Sequence, residues 1–327
     1  MMRLGAIMRV IMGRAFCGCV RSVVFDINRA AKASLFGLLA LAGFWCGEGI
    51  GYADTIYVSS RGTSTVTKYD SNGKGTVFAT SYLKSPAGLA FDRSGNLYVA
   101  NRGDNTIARF DANGNGSVFA SALSDPCGLA FDSSGNLYVA NNANNTITKF
   151  DSTGNRTTFA SSGLNGPGGL AFDSSGYLYA VNFNNNTIER FDSSGRGTVF
   201  VNTGLNFPVG LTFDSGGNLY VGNAGIPGCI EKYSSSGTDL GVFANMSRPT
   251  AEPIGLAFDS NGNLYVADQN YDTIEKFDSS GNGSIFASGL NIPYFIAIQV
   301  PEPTTWSLLG FGIVALLGGL RMRRRSS

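Results

Sequence analysis

Short apolar runs alternate with clusters of Asp, Ser, Asn and Gly through the middle of the chain, and the alternation is periodic. A phrase of roughly forty residues recurs: Pro, a short gap, Gly-Leu-Ala-Phe-Asp-Ser-Ser-Gly-Asn-Leu-Tyr-Val-Ala-Asn, then Asn-Thr-Ile-x-Lys-Phe-Asp-Ser-Ser-Gly, then a Val-Phe-Ala run. Its Leu anchor falls at Leu89, Leu129, Leu170, Leu211 and Leu256, at spacings of 40, 41, 41 and 45 residues. A period in this range marks stacked or radial repeats. The runs are rich in Tyr, Val, Ile and Phe and read as strands. The clusters between them read as hairpin turns, because Gly and Asn tolerate the positive φ of a tight reversal. Each unit therefore predicts four antiparallel strands. In the first of them Leu89 and Phe91 share one face and Gly88 and Ala90 the other. Packing large faces against small faces around an axis gives a propeller.

The ends of the repetitive region complement each other. Pro293-Tyr294-Phe295-Ile296-Ala297-Ile298 matches the start of a unit, with Ile296 lying 40 residues after Leu256, and nothing follows to complete it. Thr55–Ser60, Thr65–Asp70 and Thr76–Ala79 match strands two to four of a unit that has no first strand. Joined, the fragments make a sixth blade and leave no open sheet edge at the seam. A linear solenoid would instead want capping repeats. The expected fold is all-β: a six-bladed propeller over residues 54–300, closed by one C-terminal and three N-terminal strands.

The flanks differ in kind from this body. Arg29 and Lys32 precede an apolar run, Leu35–Trp45, and small residues lead up to Gly51-Tyr52-Ala53, the order of a secretory signal peptide occupying residues 1–53 with an extended N-region. Cys46 follows a bulky Trp where lipidation requires a small residue. At the other end Val300-Pro301-Glu302-Pro303 is followed by apolar Trp306–Leu320 and by Arg321, Arg323, Arg324 and Arg325. Counted from Thr304 the segment has 17 residues, about 26 Å of helix against a hydrocarbon core of about 30 Å. It predicts a short transmembrane helix, with the arginines kept inside by the positive-inside bias. Residues 54–303 hold 14 basic and 21 acidic residues, a net of −7, so the folded part lacks the basic footprint of a nucleic-acid binder. The tripartite tail over 301–327 resembles the PEP-CTERM sorting signal of Gram-negative bacteria. That resemblance implies an exosortase-type protease that cuts near Pro301-Glu302-Pro303, and bacteria that make extracellular polysaccharide. An exported, surface or extracellular body, transiently anchored in the inner membrane, is the expectation.

The repeated phrase at Gly88–Asn101, Gly128–Asn141, Gly169–Asn182, Gly210–Asn223 and Gly255–Asp268 resembles the NHL repeat, whose propellers serve as enzymes, binders and scaffolds. Strand two ends at Ser60, Asn101, Asn141, Asn182, Asn223 and Asp268, which a closed ring puts on one rim, the expected binding face. Gluconolactonase-like relatives imply a divalent metal near the axis, with Ca²⁺ or another divalent ion on an oxygen-rich set; here Asp268 is the one charged candidate. Asn in such positions also caps its own turn. Asn105, Asn145, Asn186 and Asp272 read as turn residues, as do the calcium-loop-like stretches Asp111–Asn115 and Asp259–Asn263, which lack the distal Glu. Glu189, Glu231 and Glu275 in strand three read as a solvated face. With no His in the chain, a Ser or Cys nucleophile lacks its usual base. Cys127 and Cys229 fall two blades apart and are expected unpaired. The leading expectation is a non-catalytic binding or scaffold module without a cofactor, for exopolysaccharide or envelope proteins, with Phe183, Phe207, Tyr271 and Tyr294 available to stack on sugars. The alternative is a metal-dependent, lactonase-like hydrolase.

Overall fold

A computed structural model describes residues 54–300; the leader read over 1–53 and the tail over 301–327 lie outside them. The described chain forms six four-stranded antiparallel sheets. One sheet is the seam: Pro293–Gln299, Thr55–Ser60, Thr65–Tyr69 and Gly75–Ala79, in that order from the axis outward. Thr55 pairs with Gln299, Ile56 with Ile298 and Val58 with Ile296, antiparallel, so the two incomplete fragments do make one blade. The other five follow in chain order, their first strands being Pro86–Phe91, Pro126–Phe131, Pro167–Phe172, Pro208–Phe213 and Pro253–Phe258. Among the described residues no helix is long and apolar enough to cross a membrane.

The first strands gather round the axis, and their third residue decides how closely. It is Gly in five blades. A Cβ on Gly210 would stand 2.0 Å from the Ile254 carbonyl, and one on Gly128 2.3 Å from the Gly168 carbonyl. Outside this ring, neighbouring blades are joined by edge-on aromatic contacts. The strand-two tyrosine meets the outer-strand phenylalanine of its own blade and a first-strand phenylalanine of the next: Tyr98 lies 5.0 Å from both Phe119 and Phe131, and Tyr138 4.9 and 5.0 Å from Phe159 and Phe172. Such pairs add roughly 0.5–1.5 kcal/mol beyond their burial. At the seam, Ile298 occupies the place of that second ring, packing in the cluster that holds Tyr265 and Phe286.

Five of the six first strands run away from their proline into a turn headed by Asp, and the sixth, Pro293–Gln299, runs the same way, which gives the ring two unlike ends. In those turns one carboxylate oxygen caps two amides: Asp92 Oδ1 accepts from Ser94 N at 2.9 Å and Asn96 N at 2.8 Å, with Gly95 at φ 78°. The turns between strand three and the outer strand repeat the device, as in Asp111–Asn115, so these stretches are turns. Hydrogen bonds from Thr153 and Asn155 hold the exposed Asp151 carboxyl down at about 2. Both ends of the described chain emerge here, Asp54 accepting a hydrogen bond from Ser260 N in one of the turns at 2.6 Å. The connections between strands two and three and between blades lie at the opposite end.

Gly210→Ala forces two axial strands apart and should destabilise the propeller by about 1–3 kcal/mol. That corresponds to a melting temperature lowered by about 3 °C or more. Gly216→Ala, in an exposed turn, should leave it near the parent value. An unchanged melting curve for Gly210→Ala would contradict close axial packing.

Candidate functional site

The six strand-two ends all lie at the end opposite the Asp-headed turns, as the closed ring requires, but their side chains are buried. Ser60, Asn101, Asn141, Asn182, Asn223 and Asp268 are at most 3% exposed. Their amides are spent on the loops above them. Asn182 Nδ2 donates to Gly163 O at 2.8 Å and Thr187 Oγ1 at 3.1 Å, while its Oδ1 accepts from Asn165 N at 3.0 Å. Asn101 and Asn223 likewise donate to Tyr82 O and Gly204 O, both at 2.8 Å. Asn141 turns its amide to Thr146 and Thr148 instead. This is the capping role of Asn, not an open rim.

The residue immediately after each of these points the other way, as strand alternation demands. Arg61, Arg102, Asn142, Phe183, Ala224 and Gln269 are all half-buried and stand at the mouth of the axial channel. A second ring comes from the first strands, one residue past the proline: Ala87, Cys127, Gly168, Val209, Ile254 and Tyr294, forming with Phe183 and Ala224 an apolar plug. A third comes from the residues before the prolines. Ser85, Asp125, Phe207 and Ile292 hold φ between 49° and 53° there, an unfavourable region for side chains of this kind that needs support from outside. The previous blade supplies it. Asn105 Oδ1 accepts from Asp125 N at 2.8 Å, Asn186 Oδ1 from Phe207 N at 2.9 Å and Asp272 Oδ1 from Ile292 N at 2.7 Å. The predicted turn residues Asn105, Asn145, Asn186 and Asp272 thus hold the neighbouring blade's mouth residue in place, themselves at φ 54° to 60°.

Together the rings enclose a cavity of about 480 Å³ lined by Arg61, Phe183, Phe207, Val209, Ala224, Gly225, Ile226, Glu252, Ile254, Gln269 and Tyr294. A smaller one of about 130 Å³ reaches Arg102, Cys127 and Asn142. The lining is lopsided. Phe183 and Phe207, 5.5 Å apart, and Val209 make one wall apolar. Opposite, the Arg61 guanidinium lies 4.6 Å over the Tyr294 ring with its Nε on Ser85 Oγ at 3.3 Å. Beside it Gln269 Nε2 donates to Glu252 Oε2 at 3.2 Å. Arg102 is committed: its Nε donates to Asp125 Oδ1 at 2.6 Å, a second nitrogen to Oδ2, and Nη1 to the Tyr294 hydroxyl at 3.1 Å. Burial works against the Arg102 charge, yet the Asp125 carboxylate outweighs it and holds the guanidinium firmly protonated. Burial also pushes the Tyr294 hydroxyl and the Cys127 thiol up, so both are neutral. Of the four aromatic residues read as sugar-stacking, Phe183, Phe207 and Tyr294 converge here, whereas Tyr271 stands apart under Arg248, 4.4 Å from its guanidinium. Cys127 and Cys229 are unpaired.

A resident metal ion does not fit this donor set. Asp125 is neutralised by Arg102, two arginines stand at the mouth, and among the described residues no group of three or more His, Cys, Asp or Glu could hold one. Asp268, the candidate ligand, lies buried beneath the loop that leads into its own blade. Its Oδ1 accepts from Glu252 N and Asn270 N, both at 3.1 Å.

Glu189, Glu231 and Glu275 are not a solvated face: they are 5%, 6% and 1% exposed. The outer strand and the inter-blade loop close over that side of strand three. Glu275 is held there by Ser247, whose Oγ donates at 2.8 Å. Burial raises all three carboxyls, and for Glu231 the neighbouring Asp239 adds to it, to about 7. Asp268 is raised by burial too, and its Oδ2 and the Thr273 Oγ1 across the strand pair both lack partners. In three other blades the same place holds an Asn donating to Thr. An acid whose folded pKa is raised stabilises the fold fully below its unfolded value and loses that contribution as pH rises through the folded one. The melting temperature should therefore fall between about pH 4 and 7. Asp268→Asn should raise it at pH 7.5 by about 3 °C, equivalent to about 1 kcal/mol, and flatten the slope. A lower melting temperature for this variant at every pH would refute this account.

The sequence of residues 73–297 matches the profile of the virginiamycin B lyase family, and residues 299–325 match the PEP-CTERM protein-sorting motif. That motif marks a chain for export and for processing by an exosortase. No curated protein matches the chain. Solved structures share the fold. A chain of the nidogen/laminin complex superposes with a TM-score of 0.65 at 20% identity, covering 75% of this chain and 98% of that one. The catalytically inactive His-to-Ala virginiamycin B lyase from Staphylococcus aureus with quinupristin gives 0.54 at 18% identity, over 64% of this chain and 73% of that one. A gluconolactonase from Xanthomonas campestris gives 0.58 at 20% identity, over 65% and 79%. With the profile running through nearly the whole ring, this six-bladed propeller belongs to the virginiamycin B lyase family.

Proposed function

We propose that the propeller is a non-catalytic binding module on an exported chain and that its site is the axial mouth. The observation behind this reading is the contrast between core and mouth. Strand after strand repeats nearly the same residues, whereas the six mouth positions after strand two are Arg61, Arg102, Asn142, Phe183, Ala224 and Gln269, different in size, charge and polarity. A scaffold has no need of that variety at six positions held rigidly by their neighbours; a pocket that orients one asymmetric ligand does.

Chemistry narrows the ligand. The Phe183 and Phe207 wall can stack on the apolar face of a sugar ring, and Glu252, Gln269 and Arg61 offer acceptors and donors for hydroxyl or acidic substituents. An extracellular polysaccharide bearing such groups fits both this lining and the sorting tail. The lyase chemistry of the family has no counterpart in the composition. The staphylococcal lyase is inactive with one histidine replaced by alanine, and this chain has no histidine anywhere. The lactonase-like alternative asks for a metal the mouth residues do not suit.

Titration of the purified chain with oligosaccharides cut from an acidic exopolysaccharide should show saturable binding. Phe183→Ala and Arg61→Ala should each weaken it about tenfold, equivalent to about 1.4 kcal/mol, while Asn144→Ala, exposed beyond the mouth, leaves it intact. Equal binding by all three variants, or turnover of the oligosaccharide, would overturn the reading.

A further inference from the structure

The direction of the strands bears on which way the mouth points when the chain is tethered. The last first-type strand, Pro293–Gln299, starts at the mouth and ends among the Asp-headed turns, where Gln299 lies beside Gly95. The sorting motif begins at residue 299, so its apolar segment is joined to the ring at the turn end and near the axis. Between Val300 and Trp306 there are five residues, two of them proline, a leash of at most about 18 Å.

We propose that, while anchored by its tail, the propeller stands with its Asp-turn end toward the membrane and its mouth away from it. To bring the mouth against lipid the leash would have to pass outward beneath three further strands, about 14 Å at about 4.8 Å each, and then climb the strand height of about 20 Å. That path is roughly twice what five residues span. The acidic turns do not prevent the upright arrangement, because the leash exceeds the screening length of about 8 Å at physiological salt. The partner of the mouth is therefore a molecule arriving from the side away from the membrane, not a lipid of the anchoring bilayer. This holds whatever the mouth binds, and its failure would leave the binding reading untouched.

The test uses the full chain with its native cysteines replaced by Ala and a single fluorophore-bearing cysteine introduced by Ser193→Cys, in an Asp-headed turn, or by Asn184→Cys, beside the mouth. Each protein is mixed with phosphatidylethanolamine and phosphatidylglycerol vesicles carrying an acceptor dye on the headgroup, and energy transfer is read on the fraction that floats with the vesicles. The Ser193 label should transfer about twofold more efficiently or better than the Asn184 label, given the strand height between them. Equal transfer, stronger transfer from the Asn184 label, or failure of the full chain to float would overturn the proposal.

Discussion

Everything in the ring depends on one strand pairing across 233 residues of chain, that of Ser60 with Pro293 through to Thr55 with Gln299. It turns five self-sufficient sheets and two fragments into a closed circle, and only a closed circle has an axis. The glycines that let the first strands approach, the proline-led entries and the varied side chains at the mouth all take their positions from that closure. Without it, the last blade would lose the sheet that packs against its face, and the seam blade would lack its innermost strand and present Thr55–Ser60 as an open edge.

How far the sequence reveals this can be judged residue by residue. Pro293 to Ile298 is legible as a first strand without its blade because it repeats a pattern printed five times earlier, and Thr55 to Ala79 is legible as its remainder. The mouth is a different matter. The asparagines read as a rim, Asn101, Asn141, Asn182 and Asn223, are buried, and the side chains that line the axial cavity lie one position further on, because repetition draws attention to what every blade needs. Those asparagines are repeated since every blade must hold its incoming loop. The residues that follow them carry no shared pattern, so only strand alternation points to them. The aromatic interruptions at Phe183, Phe207 and Tyr294 were the one direct signal, visible as departures from the repeat.

The buried carboxylates show a related limit. Glu189, Glu231 and Glu275 alternate with core residues, which fits an exposed face of an isolated sheet. In the ring, the outer strand and the inter-blade loop cover that face, and the acids are kept by serine and amide donors or by a retained proton. Period-two patterning reports which side of a strand a residue takes; it does not report what a neighbouring element lays over that side. Asp268 marks the blade whose entering loop is longest, the step of 45 residues, where a carboxylate stands in a place that elsewhere suits an amide.

The seam also governs when the chain can take its final shape. Because the innermost ribbon of the first-made sheet is the last part of the body to be synthesised, no partly made chain can complete the circle. A nascent polypeptide would thus stay free of its final, rigid shape until almost all of the body had been translated.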